Sequence, residues 1–231
     1  MNVGTVLLGG GIGLLLGSRL SERLQQTVMQ GIGVVTIMIG MQMALSTDNV
    51  LIVLGSILLG GVLGTWWRLD DLLNRFGRWV EHNMTRRSQI AGGKQEGRFA
   101  QAFITTSLLF CIGPMTFLGA IQDGLFGDYQ LLAVKSMLDG FSSIAFAASL
   151  GPGVLMSAVT VFVLQGSITL MSGFLEPFMT DALITELTAA GGVMVLMLGL
   201  NLLRLMAIRV ADYLPALLVV PLLLWVANFI V

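Results

Sequence analysis

The sequence predicts an all-α, polytopic helical membrane protein of about eight transmembrane segments, and three observations carry that expectation. Hydrophobic residues make up 55% of the 231 positions and charged residues only 11%, against about 25% charged in a soluble domain. Mean hydropathy is +0.89. Apolar runs long enough to cross ~30 Å of hydrocarbon recur along the whole length. The net charge of −1 decides little, because where charge lies matters more than its sum. Cys111 is the one cysteine, which excludes an intramolecular disulfide, and His82 is the one histidine, which leaves little for a metal site. So few charges leave no room for a sizeable soluble part, and 1–231 reads as a single integral membrane domain that needs no cofactor.

Spans one to three are expected over 3–17, 27–45 and 49–67. The opening "MNVGTVLLGGGIGLLLG" lacks the basic-then-apolar layout of a cleaved signal. Gly9, Gly13 and Gly17 recur every four residues, a spacing that lets a neighbouring helix approach closely. Next comes "RLDDLLNRFGRWVEHNMTRR" within 68–98. Leu69, Leu72, Leu73, Phe76, Trp79, Val80 and Met84 share one helical face there, while Arg75, Arg78, Arg86 and Arg87 mark the other side or the end. This predicts a helix lying in the interface, with His82 as an interfacial polar residue and "SQIAGGKQEG" as a flexible linker. Spans four and five, 99–121 and 129–150, form a central unit over 99–151. Spans six to eight are expected over 154–174, 187–205 and 212–231.

Lysine and arginine set the expected orientation. Arg19 and Arg23 follow span one, the cluster from Arg68 to Arg98 follows span three, and Arg204 and Arg209 follow span seven. If spans alternate, all three sites share a side. The opposite side receives Asp48, Asp123, Asp128, Glu176, Asp181 and Glu186, with no Lys or Arg. The arginine loops, 68–98 included, are therefore expected in the cytoplasm of a cell inner membrane, with both termini outside.

An internal repeat is visible. "SERLQQTVMQGIGVVTIMIGMQ" (21–42) lies over "TDALITELTAAGGVMVLMLGLN" (180–201) without a gap. Gly33, Val34, Met38 and Gly40 meet Gly192, Val193, Met197 and Gly199, and Gln42 meets Asn201. Spans two and seven are an odd number of crossings apart, so they run in opposite directions. An inverted-topology repeat follows, 1–67 against 152–231, which is a common build for secondary transporters with a midplane site beside interrupted helices.

The central helices carry the polar residues. Gly113-Pro114 sits near the middle of span four, where proline removes a backbone donor and breaks the helix. Thr105, Thr106, Ser107, Cys111 and Thr116 surround the break, and Gln122-Asp123 closes the span. A proline kink healed by a threonine hydroxyl is the plainer reading of that break. In span five, Lys135 lies roughly 10 Å and Asp139 roughly 16 Å into the membrane. A charge at the centre costs at least ~3 kcal/mol on insertion scales. Four-residue spacing puts both groups on one face, where they neutralise each other. Lys135, Asp139 and Asp123 are thus the leading site residues, with Thr105, Thr106, Ser142 and Ser143 as neutral ligands. Gln42, Gln165 and Asn201 rank lower, since amides in membrane helices often only join helices.

Over "LLFCIGPMTFLGAIQDGLFGDYQLLAVKSMLDGFSSIAFAASLG" (108–151) the chain resembles the bacterial inner-membrane family of unknown function that includes YqgA and YdfK. Phe110-Cys111, Gly119-Ala120, Gly124, Gly127-Asp128, Lys135-Ser136, Leu138-Asp139 and Leu150-Gly151 carry the likeness. The glycine-rich start and "LPALL" (214–218) extend it over nearly the whole length. Gln122-Asp123 stands where the family has an amide and a glutamate, which keeps the chemistry. Pro114 stands where the family has a small or hydroxylated residue. The resemblance implies an integral membrane protein and no particular substrate.

Two functional readings result. One is a small transporter or channel for an ion or small polar solute, with a homo-oligomer suggested by the glycine faces of spans one to three. The other is a non-transporting scaffold or accessory subunit in which the Lys135–Asp139 pair is structural. No enzyme is expected: there is no serine–histidine or cysteine–histidine set, no HExxH and no facing aspartate pair. Nothing points to nucleic acid or redox chemistry.

Overall fold

The computed structural model describes residues 1–17, 21–75, 79, 98–111 and 114–230. Nine principal helices are described: α1 (Asn2–Gly17), α2 (Glu22–Ala44), α3 (Val50–Trp67), α4 (Arg98–Cys111), α5 (Pro114–Phe126), α6 (Gln130–Leu150), α7 (Gly153–Leu170), α8 (Asp181–Leu202) and α9 (Ala216–Ile230). Short helical turns at Ser172–Leu175, Glu176–Phe178 and Val210–Tyr213 join the later helices. Five of the helices, and the stretch Val210–Ala227 that runs from the last turn into α9, are long and apolar enough to cross a membrane, which makes six spans, or seven if the bent pair α4–α5 is one span; α1 is apolar but shorter, at 16 residues. The protein is an all-helical membrane protein.

Helix ends follow local chemistry. Ser21 and Thr180 cap α2 and α8 alike, each hydroxyl accepting from the N–H three residues on, Leu24 and Leu183. That cap starts α8 at Asp181, ahead of the 187 read from hydropathy, because the first turn is polar. Arg68 and Arg204 follow α3 and α8 with φ of 54° and 57°, a left-handed step that turns the chain out of the helix. Residues 69–75 are helical, and Trp79 is exposed. Phe76, Val80, His82, Met84 and the "SQIAGGKQEG" linker lie outside the described residues.

Close helix crossings fix the architecture, and glycine makes them. In α1, Gly9 meets Gly140 and Ser143, Gly13 meets Ile144 and Ala147, and Gly17 meets Ala148, so α1 runs parallel to α6. A side chain at any of these three would collide with the α6 backbone. Between α2 and α8, Gly33 meets Leu202 and Leu203, Gly40 meets Leu196, Gly192 meets Met43 and Ala44, and Gly199 meets Ile37, so these two are antiparallel. Gly60 and Gly64 of α3 meet Ala216 and Asp212. These glycines are thus occupied within the chain, whereas Gly4, Gly11 and Gly31 face open space.

α4 and α5 lie 59° apart, with Pro114 opening α5, the position where its missing donor costs nothing. Gly113 lies outside the described residues. Gly153 at the start of α7 touches Phe99 and Ala102, Ser107 donates to Thr160 at 3.1 Å, and Gly124 touches Thr169 and Ser172. The bent pair therefore follows α7 from end to end. The Thr116 hydroxyl donates to the Phe110 carbonyl at 3.2 Å across the break, which satisfies an acceptor that the missing turn would have used.

Candidate functional site

Lys135 and Asp139 sit one turn apart on α6, and Asp139 is its tenth residue, about 14 Å along the axis. The ammonium donates to both carboxylate oxygens, at 3.0 and 2.8 Å. A third donor comes from far away in sequence. Asn2, the first residue of α1, gives its amide nitrogen to Asp139 Oδ2 at 2.8 Å and to Gln165 Oε1 of α7 at 3.2 Å. All four side chains are at least nine-tenths buried, at 4% exposure for Asn2, 7% for Lys135, 6% for Asp139 and 8% for Gln165. A buried carboxylate with one cation and one amide donor is a stable arrangement, and the positive N-terminal end of α1 adds to it.

Two amide atoms in this network have no partner: Asn2 Oδ1 and Gln165 Nε2. Their orientation follows from chemistry. The ionised Asp139 only accepts, so Asn2 must turn its nitrogen toward it, and Gln165 must then turn its oxygen toward that nitrogen.

Asn2 and Gln165 line a cavity of about 550 Å³. Asp123 and Tyr129 stand in its wall where α5 ends and α6 begins, and Met1, Val3, Leu132, Val161, Phe162 and Leu170 supply apolar surface. Among the described residues no Lys or Arg lines it. At the opposite end of the α4–α5 crossing is a second cavity of about 720 Å³, lined by Gln101, Thr105, Asn201, Asp70, Arg204 and Arg209 among others. Between them Phe110 and Phe146 meet edge to face, ring centres 6.3 Å apart, both almost fully buried. Among the described residues no three of His, Cys, Asp and Glu gather to hold a metal ion.

Residues 1–225 match the family described as "Protein of unknown function (DUF554)". The chain belongs to this family. It is 31% identical over 231 residues to the "Uncharacterized membrane protein YdfK" of Bacillus subtilis (strain 168), covering 98% of this chain and 95% of that one. It is 29% identical over 218 residues to the "Uncharacterized protein YqgA" of Escherichia coli (strain K12), covering 94% of this chain and 92% of that one. No solved structure gives a significant match.

For this DUF554 chain, the expected site residues divide into three groups. Lys135, Asp139 and Gln165 come together, and Asp123 stands in the cavity above them. Thr105 lines the other cavity, and Asn201 beside it bridges the Ile208 N–H and carbonyl at 2.8 and 2.7 Å, so it fastens the loop after α8. The rest serve locally or lie apart. Thr106 donates to Ala102 of its own helix and Ser143 to Gly140, the residue that Gly9 touches; Ser142 is half-buried, and Gln42 is exposed. Sequence reasoning missed Asn2 and Tyr129. Asn2 reads as a polar flank before an apolar run, and its one available signal is the glycine spacing behind it, which demands a close helix partner without naming one.

Glu186 is a further buried carboxylate, 2% exposed, in α8. It accepts from the Thr47 hydroxyl at 2.6 Å and from the N–H groups of Asp48 and Asn49 at 3.0 Å each, which ties α8 to the start of α3. Every oxygen is occupied, so it fixes the fold and is not free for a solute.

Proposed function

We propose that the chain is a small transporter or channel for an ion or small polar solute, with its binding site at the Asn2–Lys135–Asp139–Gln165 cluster. One observation carries this: a deep charged pair is joined through Asn2 to Gln165, and these two amide residues line a cavity of about 550 Å³. Ionisable groups inside a membrane are expensive, and a pathway is the usual reason to keep them. The second cavity at the other end, divided from the first by Phe110 and Phe146, suits a route closed in the middle.

The frame belongs to the same proposal: eight spans in a cell inner membrane, arginine loops in the cytoplasm, and an inverted repeat of 1–67 against 152–231. Its support is a set of paired contacts. In the alignment of 21–42 with 180–201, Gly33 stands with Gly192, Ile37 with Leu196 and Gly40 with Gly199. Gly33 touches Leu203 while Gly192 touches Ala44, and Gly40 touches Leu196 while Gly199 touches Ile37. Each contact has its counterpart with the helices exchanged, as across a twofold axis. The helix directions, α1 parallel to α6, α4–α5 parallel to α7, and α2 antiparallel to α8, agree with eight alternating crossings.

A non-transporting scaffold is the second reading, favoured by the complete neutralisation of Lys135 by Asp139 and by Thr116 closing the helix break. Purified protein screened by thermal shift against inorganic ions and small metabolites separates the two. A transporter gives at least one specific stabiliser whose effect disappears in the Lys135→Met/Asp139→Leu double variant. A double variant that folds and responds to every solute as the parent does establishes the scaffold.

A further inference from the structure

The wall of the 550 Å³ cavity indicates which class of solute fits, an inference that rests on the proposal that this cavity receives one. Asn2 and Gln165 keep their unpaired amide atoms covered, and Lys135 and Asp139 are not in the wall. The polar side chains left to meet a solute are Asp123, Tyr129 and Thr169. Asp123 is half-buried in the last turn of α5, and Gly124 beside it holds that turn against Thr169 and Ser172. Among the described residues its carboxylate has no hydrogen-bond or ion-pair partner, and the α-amino group of Met1 in the same wall does not pair with it. It is the one charged side chain in the described wall. Helix ends do not offset it: α5 and α7 end at the cavity while α1 and α6 begin there, so their partial charges oppose one another. An unpartnered carboxylate at the edge of hydrocarbon favours a cation.

The rest of the wall selects among cations. A bare divalent ion wants about six or more oxygen ligands, and one carboxylate with two hydroxyls falls short of that. A hydrated ion gains nothing from Val3, Leu132, Val161 and Leu170. An alkylammonium ion gains twice, its head on the carboxylate and its body on the apolar wall. Phe162 and Tyr129 add aromatic surface, 66% and 57% exposed, which attracts such a cation further. We propose that this cavity recognises a monovalent organic cation, a compact alkylammonium, with Asp123 as its counter-charge. The volume of about 550 Å³ admits a body of several carbon atoms.

An isosteric series supplies the test: isobutylammonium, isobutyramide and isobutyrate, with potassium as the bare-cation control. Each is titrated by thermal shift and calorimetry against the purified full-length protein, in an uncharged detergent at constant ionic strength. The expected result is saturable stabilisation by isobutylammonium, ahead of the other three. Asp123→Asn, which keeps the shape and removes the charge, should weaken that binding about tenfold or more, the effect of one lost charge-assisted hydrogen bond. Equal or stronger binding of the amide, the carboxylate or potassium overturns the inference and leaves the transport reading standing. Isobutylammonium binding that Asp123→Asn retains in full also overturns it, since the carboxylate is then not the counter-charge. Should the variant fail to fold, the wild-type ranking of the four solutes still decides. Binding of none of the four, with a response confined to neutral or anionic solutes in the wider screen, rejects the cation alone; no response to anything rejects both readings.

Discussion

Asn2 and Asp139, 137 positions apart, share a 2.8 Å hydrogen bond at mid-length of α6. It joins the first turn of α1 to the one deep carboxylate of the central helices. Asn2→Leu keeps the size and removes the donor to a charged group, so it should lower stability by about 1–3 kcal/mol. Thermal unfolding in a mild detergent measures this, and an unchanged midpoint would show that the contact contributes nothing.

Lys135 and Asp139 should be strongly coupled. Lys135→Met leaves a buried carboxylate without its cation, and Asp139→Leu leaves a buried ammonium; each single change should cost about 3–5 kcal/mol. The double variant should cost less than the sum by at least about 2 kcal/mol, because no unpaired charge is left. Additive losses in a double-mutant cycle would contradict the pairing.

Glycines in one helix should differ sharply. Gly40 lies against Leu196 and Gly192, so Gly40→Leu forces α2 and α8 apart and should cost at least about 1–3 kcal/mol. Gly31, in the same helix, has nothing near its missing side chain, and Gly31→Ala should gain about 0.5–1 kcal/mol from helix propensity. Equal effects at both sites would argue against this crossing.

Asp70, in the helical stretch 69–75 that follows α3, gives a pH dependence. Burial, followed by the neighbouring Asp212 carboxylate, pushes its pKa above the ordinary 3.8. A raised folded-state pKa makes the protonated form the stable one. Its contribution is present in full below the ordinary value and is lost as pH rises through the raised one. Asp70→Asn should therefore raise the melting midpoint at neutral pH and leave it nearly unchanged in acid, where the two proteins converge. A gain that is equal at all pH values would remove Asp70 as the titrating group.

Sidedness is open to direct labelling. Single cysteines at Asp48 and Asp181 should react with a membrane-impermeant maleimide from outside intact cells, and those at Arg75 and Arg209 only after lysis. The native Cys111 is buried, so its background should be low.

Much of the fold was legible because lipid imposes a simple rule on sequence. Apolar runs marked the helices to within a few residues, and Lys135 and Asp139 stood out as charges inside one of them. Partners were harder to read. Asn2, Gln42, Gln165 and Asn201 are all amides near or within apolar runs, yet one is exposed, one fastens a loop and two meet at the cavity floor. Composition is the same in each case. Only the crossing of α1 with α6 brings Asn2 to Asp139, and Gly9, Gly13 and Gly17 announced a close crossing without saying which helix would fill it.

The ion pair is contained in a single helical turn, and this bears on biosynthesis. When α6 leaves the ribosome and enters the translocon, Lys135 and Asp139 already shield one another, with no other helix required. The amide from residue 2 was made long before and can dock afterwards. Membrane insertion and completion of the cluster are therefore separable events, and a chain lacking the amide should still integrate at its normal rate.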